Sequence, residues 1–456
     1  MRENKAWSRK SKSEKKFADM DGLRDKTILE NADSNKKHEL WELQQMQGLP
    51  LTTKIKLTQS RIRDWINYYG LNHVYVSVSG GKDSTVLAHI IMQMYPNVQM
   101  VYVDTGLEFR ECKDFIKQEY KNLKILYPSY TFKNVITRWG YPIFGKEISD
   151  TISSSRRYLC RTMQEIGYEN NEYLQYFGNK LGFDYCSELN LNKDAINKLD
   201  DIYNNEQYEH NKIRTITGGV SPNSYYSKKK YLFMLAAPFE ISSVCCDVMK
   251  KSVIHKESHI AKQYSITGET ASESLLRTQK WLEHGCNGFN LKEPKSTPLA
   301  FWTEQDILLY IKLYNINYCK DVYGDIVPVN CNLVDIDWEK QSTLDALNTE
   351  KITLETTSEN KRTGCLYCGF GLHLEKEPNR LDYLFKYKQK QYDFIMRGGS
   401  FKNGLWKPNS KGLGFWFCYA WINKYGKMDI HVPNLQYYIK EYGTSETERY
   451  LNGVYN

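Results

Sequence analysis

Hydrophobic positions along the chain follow two rhythms. In "PLTTKIKLTQSRIRDWINYYG", Ile55, Leu57, Ile62, Trp65 and Ile66 recur at near-helical spacing, which predicts an amphipathic helix closed by Gly70. Next come "VYVSV" (74–78), an apolar strand, and "STVLAHIIMQMY" (84–95), a helix. "VQMVYVDTG" (98–106) is a second strand ending in a polar turn, and "EFRECKDFIKQEYKNL" a second helix. This βαβα order predicts an α/β fold whose parallel sheet is joined by crossover helices. Ligands bind such sheets at the carboxyl ends of the strands, so the turns 79–84 and 104–108 should face one crevice. The run "YLFMLAAPFEIS" (231–242) reads as another strand. Residues 160–230, rich in Asn, Tyr and Lys with weak periodicity, read as a partly helical insertion, and 338–362 as a second, polar one. The expected division is a basic polar arm over 1–47, an α/β domain over 48–330 that includes the 160–230 insertion, and a C-terminal region over 331–456.

Bulk properties narrow the class. At 456 residues the chain can hold two or three domains, and 41% hydrophobic with 25% charged residues is ordinary for a folded soluble protein. There is no apolar run of about 18 residues, so no membrane span is expected. "MRENKAWSRKSKSEKK" lacks the apolar core of a secretory signal, and the expected location is cytoplasmic. That stretch holds seven Lys/Arg against two Glu, which suits a solvated tail or a basic arm for nucleic acid. The net charge of +8 is compatible with an anionic substrate and does not by itself show nucleic-acid binding. Eleven cysteines are too few for a disulfide scaffold, so paired cysteines point to metal or redox chemistry.

The first candidate site is "SGGKDS", Ser79 to Ser84, between a strand and a helix. Gly80 and Gly81 let the backbone approach an anion, and the helix start adds positive potential. Lys82 supplies a point charge, Ser79 and Ser84 can donate hydroxyl hydrogen bonds, and Asp83 can orient donors or help hold a magnesium ion. A P-loop NTPase would carry Ser or Thr where this chain has Asp83.

The segment resembles the PP-loop of ATP pyrophosphatases, in the branch of phosphoadenosine phosphosulfate (PAPS) reductases, ATP sulfurylase small subunits and the DNA phosphorothioation ATPase. The resemblance implies a PP-loop fold of the adenine nucleotide α-hydrolase type, and cleavage of ATP between the α and β phosphates. "VDTGLEFRE" (103–111) is similar to the branch's second nucleotide motif, which would place Asp104, Thr105 and Gly106 by the adenosine. "ITGETASESLLRTQKW" (266–281) resembles its Gly-x-Arg-x-x-x-Ser-x-x-Arg motif through Gly268, Glu273, Ser274 and Arg277. Where many relatives have arginine after the glycine, this chain has Glu269 and Thr270. "PLAFWTEQDILLYI" (298–311) and "INYCKDVYG" (316–324) resemble its downstream helix and Tyr-Gly turn. The likeness covers roughly 48–150 and 232–400.

The second candidate site is a Cys-Cys pair, Cys245 and Cys246, with a Cys-x-x-Cys pair, Cys365 and Cys368. Four thiolates can hold zinc or an iron–sulfur cluster, and Cys-x-x-Cys alone can be a redox dithiol. Adjacent cysteines strain to reach one small tetrahedral ion, and a larger cluster spans them more easily. The pattern also resembles that of adenylylsulfate (APS) reductases, which bind [4Fe–4S]. Assimilatory reductases end in a Glu-Cys-Gly-(Leu/Ile)-His segment bearing the nucleophilic thiol; here "GFGLHLE" (369–375) has phenylalanine before Gly-Leu-His. Cys286 is the substitute nucleophile considered. Cys160, between arginines, should have a lowered thiol pKa if they are close. Cys112, Cys186, Cys319, Cys331 and Cys418 read as structural. His373 lies close in sequence to the paired cysteines, and "RGGSFKNGLWKP" with "GFWFCYAW" suits either nucleobase stacking or an apolar core element.

The resulting expectation is a sulfur-transfer enzyme using ATP, Mg2+ and a [4Fe–4S] cluster. Lys82, the Gly80–Gly81 backbone and Ser84 would stabilise the phosphates, with Asp83 beside them. Asp104 and the Gly268 loop would hold the adenosine, and Arg277 would balance negative charge. Two alternatives stand beside it: an APS or PAPS reductase, and a non-catalytic nucleotide- or nucleic-acid-binding module. The acceptor is open between tRNA, DNA and a small molecule, and the sulfur donor between a cysteine desulfurase and another source. No membrane partner is expected, and the oligomeric state is open.

Overall fold

The computed structural model describes residues 36–168, 171–186, 188–204, 211–218, 227–329, 353–358, 360 and 363–452. The basic stretch 1–35, Cys331, most of 338–362 and parts of 160–230 lie outside the described residues. The chain forms two compact units, each built from two separate segments: 1–128 with 252–364, and 129–251 with 365–456.

The first unit contains a six-stranded, mostly parallel sheet. Its strands are β1 (Val74–Ser77), β2 (Gln99–Val103), β3 (Leu123–Leu126), β5 (Tyr264–Thr267), β6 (Asn287–Gly288) and β7 (Lys295–Ser296), in the order β3-β2-β1-β5-β7-β6. A two-residue strand of the other unit, β4 (Ile143–Phe144), falls between β3 and β5 in the chain. Only β6 runs antiparallel to its neighbour. The chain steps outward from β1 to β3 and then returns to the other side of β1 with β5, so the strand order reverses at β1. The predicted helices are present as Leu51–Tyr69, Lys82–Met94 and Arg110–Glu119. Gly70 ends the first of them with a φ of 85°.

Both faces of a parallel sheet are covered, and the central strands β1 and β2 are accordingly mostly apolar. Val74, Val76, Met100, Tyr102 and Ile266 are buried with Val86, Leu87, Ile90 and Ile91 of the following helix and Ile62 and Trp65 of the preceding one. A buried ion pair crosses this core. Lys54 Nζ lies 2.6 Å from Asp306 Oδ2, and the same oxygen accepts from the Thr303 N–H at 2.7 Å. The pair fixes the start of the Glu304–Leu313 helix against Leu51–Tyr69.

The second unit is mostly helical. It holds the helices Lys146–Glu165, Tyr173–Lys180, Lys193–Asn204 and Phe415–Gly426, and a hairpin of Ser400–Lys402 with Leu405–Lys407. The run 231–242 departs from the expected strand: Lys229–Ala236 is a 3₁₀ helix with Tyr231 to Ala236 all buried. A short apolar run carries no periodicity that separates a strand from a wholly buried helix. The 397–421 aromatics form core, with Trp406, Trp416, Phe417 and Trp421 buried.

A short segment organises the cysteines of this unit. Tyr141 donates its N–H to Glu240 O at 2.8 Å and accepts from the Ser242 N–H at 3.0 Å. Two residues on, β4 pairs in parallel with Gly369–Phe370. Residues 141–144 are thus held by the chain just before Cys245 and by the chain just after Cys368. Gly140 permits the approach: its φ is 107°, and a Cβ there would lie 2.5 Å from Glu240 O.

Candidate functional site

The phosphate-type turn sits where β1 ends. Gly80 has φ 72°, and a Cβ on it would lie 2.8 Å from Cys112 Cβ, so only glycine fits. Gly81 begins the Lys82–Met94 helix without a side-chain cap, leaving the first N–H groups of the helix to other partners. Its carbonyl accepts from Ser84 Oγ at 2.9 Å and Thr85 Oγ1 at 3.0 Å. Ser84 Oγ accepts from the Ser79 N–H at 3.2 Å, and Ser79 Oγ from the Gly81 N–H at 3.3 Å. In this state the two serines hold the turn's shape. Tyr323 and Thr363, hydrogen-bonded to each other at 2.8 Å, back the turn at Gly81.

Strand register brings three loops to this point. Ser77 pairs with Val101 of β2 and with Thr267 of β5. The loop after β5 therefore leaves beside the turn, and Gly268 presses on it: a Cβ there would lie 2.8 Å from Asp83 O and 3.0 Å from Ser84 Cα. The loop after β2 carries Asp104, which is buried and forms an ion pair with Lys113. Asp104 Oδ1 accepts from the Gly106 N–H at 3.1 Å, and Thr105 Oγ1 donates to Glu108 Oε2 at 2.7 Å. Gly106, at φ 72°, has open space where a Cβ would be.

Among the described residues, four cations near the turn have carboxylate partners. Lys82 Nζ lies 2.8 Å from Glu304 Oε1 and 5.1 Å from the centre of the Tyr323 ring. Arg277 pairs with Glu273, and its Nε lies 3.9 Å from Glu269 Oε2. Lys295 pairs with Glu269, and Lys113 with Asp104. Burial raises the Asp83 carboxyl; Glu304 adds to the rise, while Lys82 and Arg277 oppose it. Burial acts upward on Glu269 too, but Lys295 and Arg277 outweigh it and hold that carboxyl below its usual range. Lys295 is lowered by burial against the pull of Glu269. Both shifts fit an ion pair that is partly removed from water.

The remaining residues fall elsewhere. Ser274 caps the Leu275–His284 helix, its hydroxyl accepting from the Arg277 N–H at 3.4 Å. Cys286 lies beyond the far end of that helix in the apolar core, and burial pushes its thiol up to about 11. Glu304, Lys113, Lys295, Tyr323 and Thr363 were not singled out from the sequence. Glu304 and Lys113 each carried one usable signal, a charge on a helix within a motif or just after it.

The four paired cysteines are neighbours within the second unit. Burial raises the Cys245 thiol, and the charges of Cys246, Cys365 and Cys368 push the same way, with Lys250 opposing. Burial likewise raises Cys368, opposed by the Phe370 N–H, Arg380 and Lys146. That N–H lies 3.4 Å from Cys368 Sγ. Arg380 donates to Cys368 O at 3.0 Å. Directly after the Cys-Cys pair the chain makes a π-helical turn, Asp247–Lys251, a form often found at functional sites. Among the described residues no three His, Cys, Asp or Glu are arranged as a metal-ligand set. The donor chemistry nonetheless fits a thiolate-bound cluster: four thiols, an amide N–H on one sulfur, and cations within range.

Two other sequence expectations meet the structure here. Cys160 is corrected: burial, Glu240 and Glu172 raise its thiol, and Arg156 alone opposes them. His373 Nε2 lies 3.2 Å from the Tyr231 hydroxyl, and burial pushes its imidazole down to about 4.

Among the described residues no helix is long and apolar enough to cross a membrane. Residues 73–140, which span β1 to β3 and the turns at 79–84 and 104–108, match the phosphoadenosine phosphosulfate reductase domain. A stretch of 123 residues is 31% identical to an uncharacterized protein of Methanocaldococcus jannaschii, covering 22% of this chain and 29% of that protein. The chain thus spans less than a third of that relative's length. The matched segment takes in the strands β1 to β3 and the SGGKDS turn, so the likeness to the phosphoadenosine phosphosulfate reductase domain rests on residues 73–140.

Proposed function

We propose that the protein is a PP-loop ATP pyrophosphatase that adenylates an acceptor and supports sulfur transfer to it. The observation that carries this reading is the turn at the strand reversal, where buried Lys82 is followed by Asp83 and Gly268 closes on the backbone. An acceptor oxygen attacks the α-phosphorus, the α–β bridging bond breaks, and pyrophosphate leaves with the electron pair. Lys82 and the helix start at Gly81 answer the charge that grows on the departing phosphates. Asp104 and the loop at Gly268 hold the adenosine, and Arg277 balances charge on the leaving or attacking group. A sulfur nucleophile then displaces AMP from the adenylated acceptor.

Cys245, Cys246, Cys365 and Cys368 would hold a [4Fe–4S] cluster, which when bound supplies a site to carry or deliver sulfur. Magnesium would ride on the phosphates with Asp83 beside it. A sulfonucleotide reductase is the second reading, favoured by the family match over 73–140. The burial of Cys286 counts against that cysteine as its nucleophile. Anaerobically purified protein is given Mg·ATP with tRNA, DNA or small-molecule acceptors, and APS or PAPS with a thiol reductant in parallel. Acceptor-dependent pyrophosphate without sulfite supports the proposal. Sulfite without pyrophosphate replaces it with the reductase.

A further inference from the structure

The charge pairs around the turn differ in one respect. Lys113, Lys295 and Arg277 meet carboxylates whose side chains are 5%, 31% and 26% exposed. The Lys82 side chain is 5% exposed, yet its partner Glu304 is 63% exposed and comes from the first turn of another helix. Lys82 is also the first residue of its own helix, at the positive end of the helix dipole. A buried cation there has an unfavourable environment unless an anion answers it. The Tyr323 ring face adds attraction but no charge.

We infer that Glu304 is a displaceable counter-ion for Lys82, holding in the free protein the place that a phosphate of the nucleotide takes. The inference rests on the nucleotide reading above. An incoming phosphate and the Glu304 carboxylate are both anions and exclude one another at one ammonium. Glu304 can give way because its side chain is mostly in water, and because the start of its own helix favours a carboxylate. The partly buried Asp83 has no such exit. When pyrophosphate has formed, the returning carboxylate competes for Lys82 and so promotes product release. Glu304 is in this sense a positioning residue that weakens ground-state phosphate binding.

The test uses the full chain and isothermal titration calorimetry with inorganic pyrophosphate and, separately, Mg·ATP at fixed ionic strength. Glu304→Gln should bind pyrophosphate roughly 3- to 5-fold more tightly than the unaltered protein, the upper part of the range expected from removing one exposed ion-pair competitor. Pyrophosphate should also become a stronger inhibitor of turnover by a similar factor. Asp64→Asn, an equal charge change on a helix of the same unit, serves as the control and should stay within about twofold. A melting curve confirms that each variant is folded. Equal or weaker binding by Glu304→Gln overturns the inference and leaves the nucleotide reading standing. Binding of neither ligand by any form of the protein overturns both.

Discussion

A methyl group on residue 268 would meet the Asp83 carbonyl at 2.8 Å, so this glycine sets the distance between two loops. Gly268→Ala must push them apart, and the overpacking is expected to cost about 1–3 kcal/mol. The melting temperature should fall and Mg·ATP binding weaken about 5- to 100-fold, both measurable on the same sample. On the proposed function, Lys82→Ala removes the charge that answers the departing phosphates. Pyrophosphate release should drop on the order of 10²–10³-fold in a coupled phosphate assay, the scale seen for losing one preorganised donor. His373 gives a pH prediction. Its folded pKa of about 4 lies below the ordinary value of about 6.5, so the unfolded chain binds the proton more readily. Its contribution to stability is therefore complete above about pH 6.5 and is lost as pH falls towards 4. Urea midpoints across that interval should decline, and His373→Phe should flatten the decline. At this scale the sequence was informative wherever partners are adjacent, as in Gly80 to Ser84. It did not reveal the pairing of Lys82 with Glu304, since 222 positions separate them. It misled at Cys160, where burial, with carboxylates close in space, outweighs the arginine nearby.

Among elements, the alternation from β1 through the Arg110–Glu119 helix was legible because parallel strands are apolar on both faces and their crossover helices on one. The 231–242 run was not, because complete burial erases the period that distinguishes a helix from a strand. Nor does any rhythm disclose that residues 141–144 are gripped from both sides, since those contacts join segments about 100 and 230 positions away. Gly140→Ala tests this grip. A Cβ 2.5 Å from Glu240 O at a φ of 107° cannot be accommodated without displacing one strand of the clasp. The variant should lose cluster loading, read as iron and acid-labile sulfide per chain, while the unit that contains Lys82 keeps its nucleotide affinity. A second element-level prediction concerns the helix that bears Glu304. Asp306→Ala strands the buried Lys54 ammonium, and chemical denaturation should show a loss of about 3–5 kcal/mol.

For the whole molecule, the four paired cysteines belong to one unit and the SGGKDS turn to the other. Single Ser replacements at Cys245, Cys246, Cys365 and Cys368 should each lower iron content after anaerobic reconstitution and leave Mg·ATP binding unchanged. Iron and sulfide unaltered in any one of the four would remove that residue from the ligand set. The class of fold could be anticipated from a few dozen residues around β1 and β2. The interleaving of two segments in each unit could not, because nothing local in a sequence marks where a chain comes back. That interleaving bears on biosynthesis. Strand β1 leaves the ribosome with β2 and β3 soon behind it, but its other neighbour, β5, follows only about 190 residues later. At about 5–20 residues per second, the nascent half-sheet waits on the order of 10–40 s with one side of β1 unpaired. An unpaired apolar strand edge invites association with other chains. Slower elongation should therefore lower the soluble yield, and a chaperone that shields nascent strands should restore it.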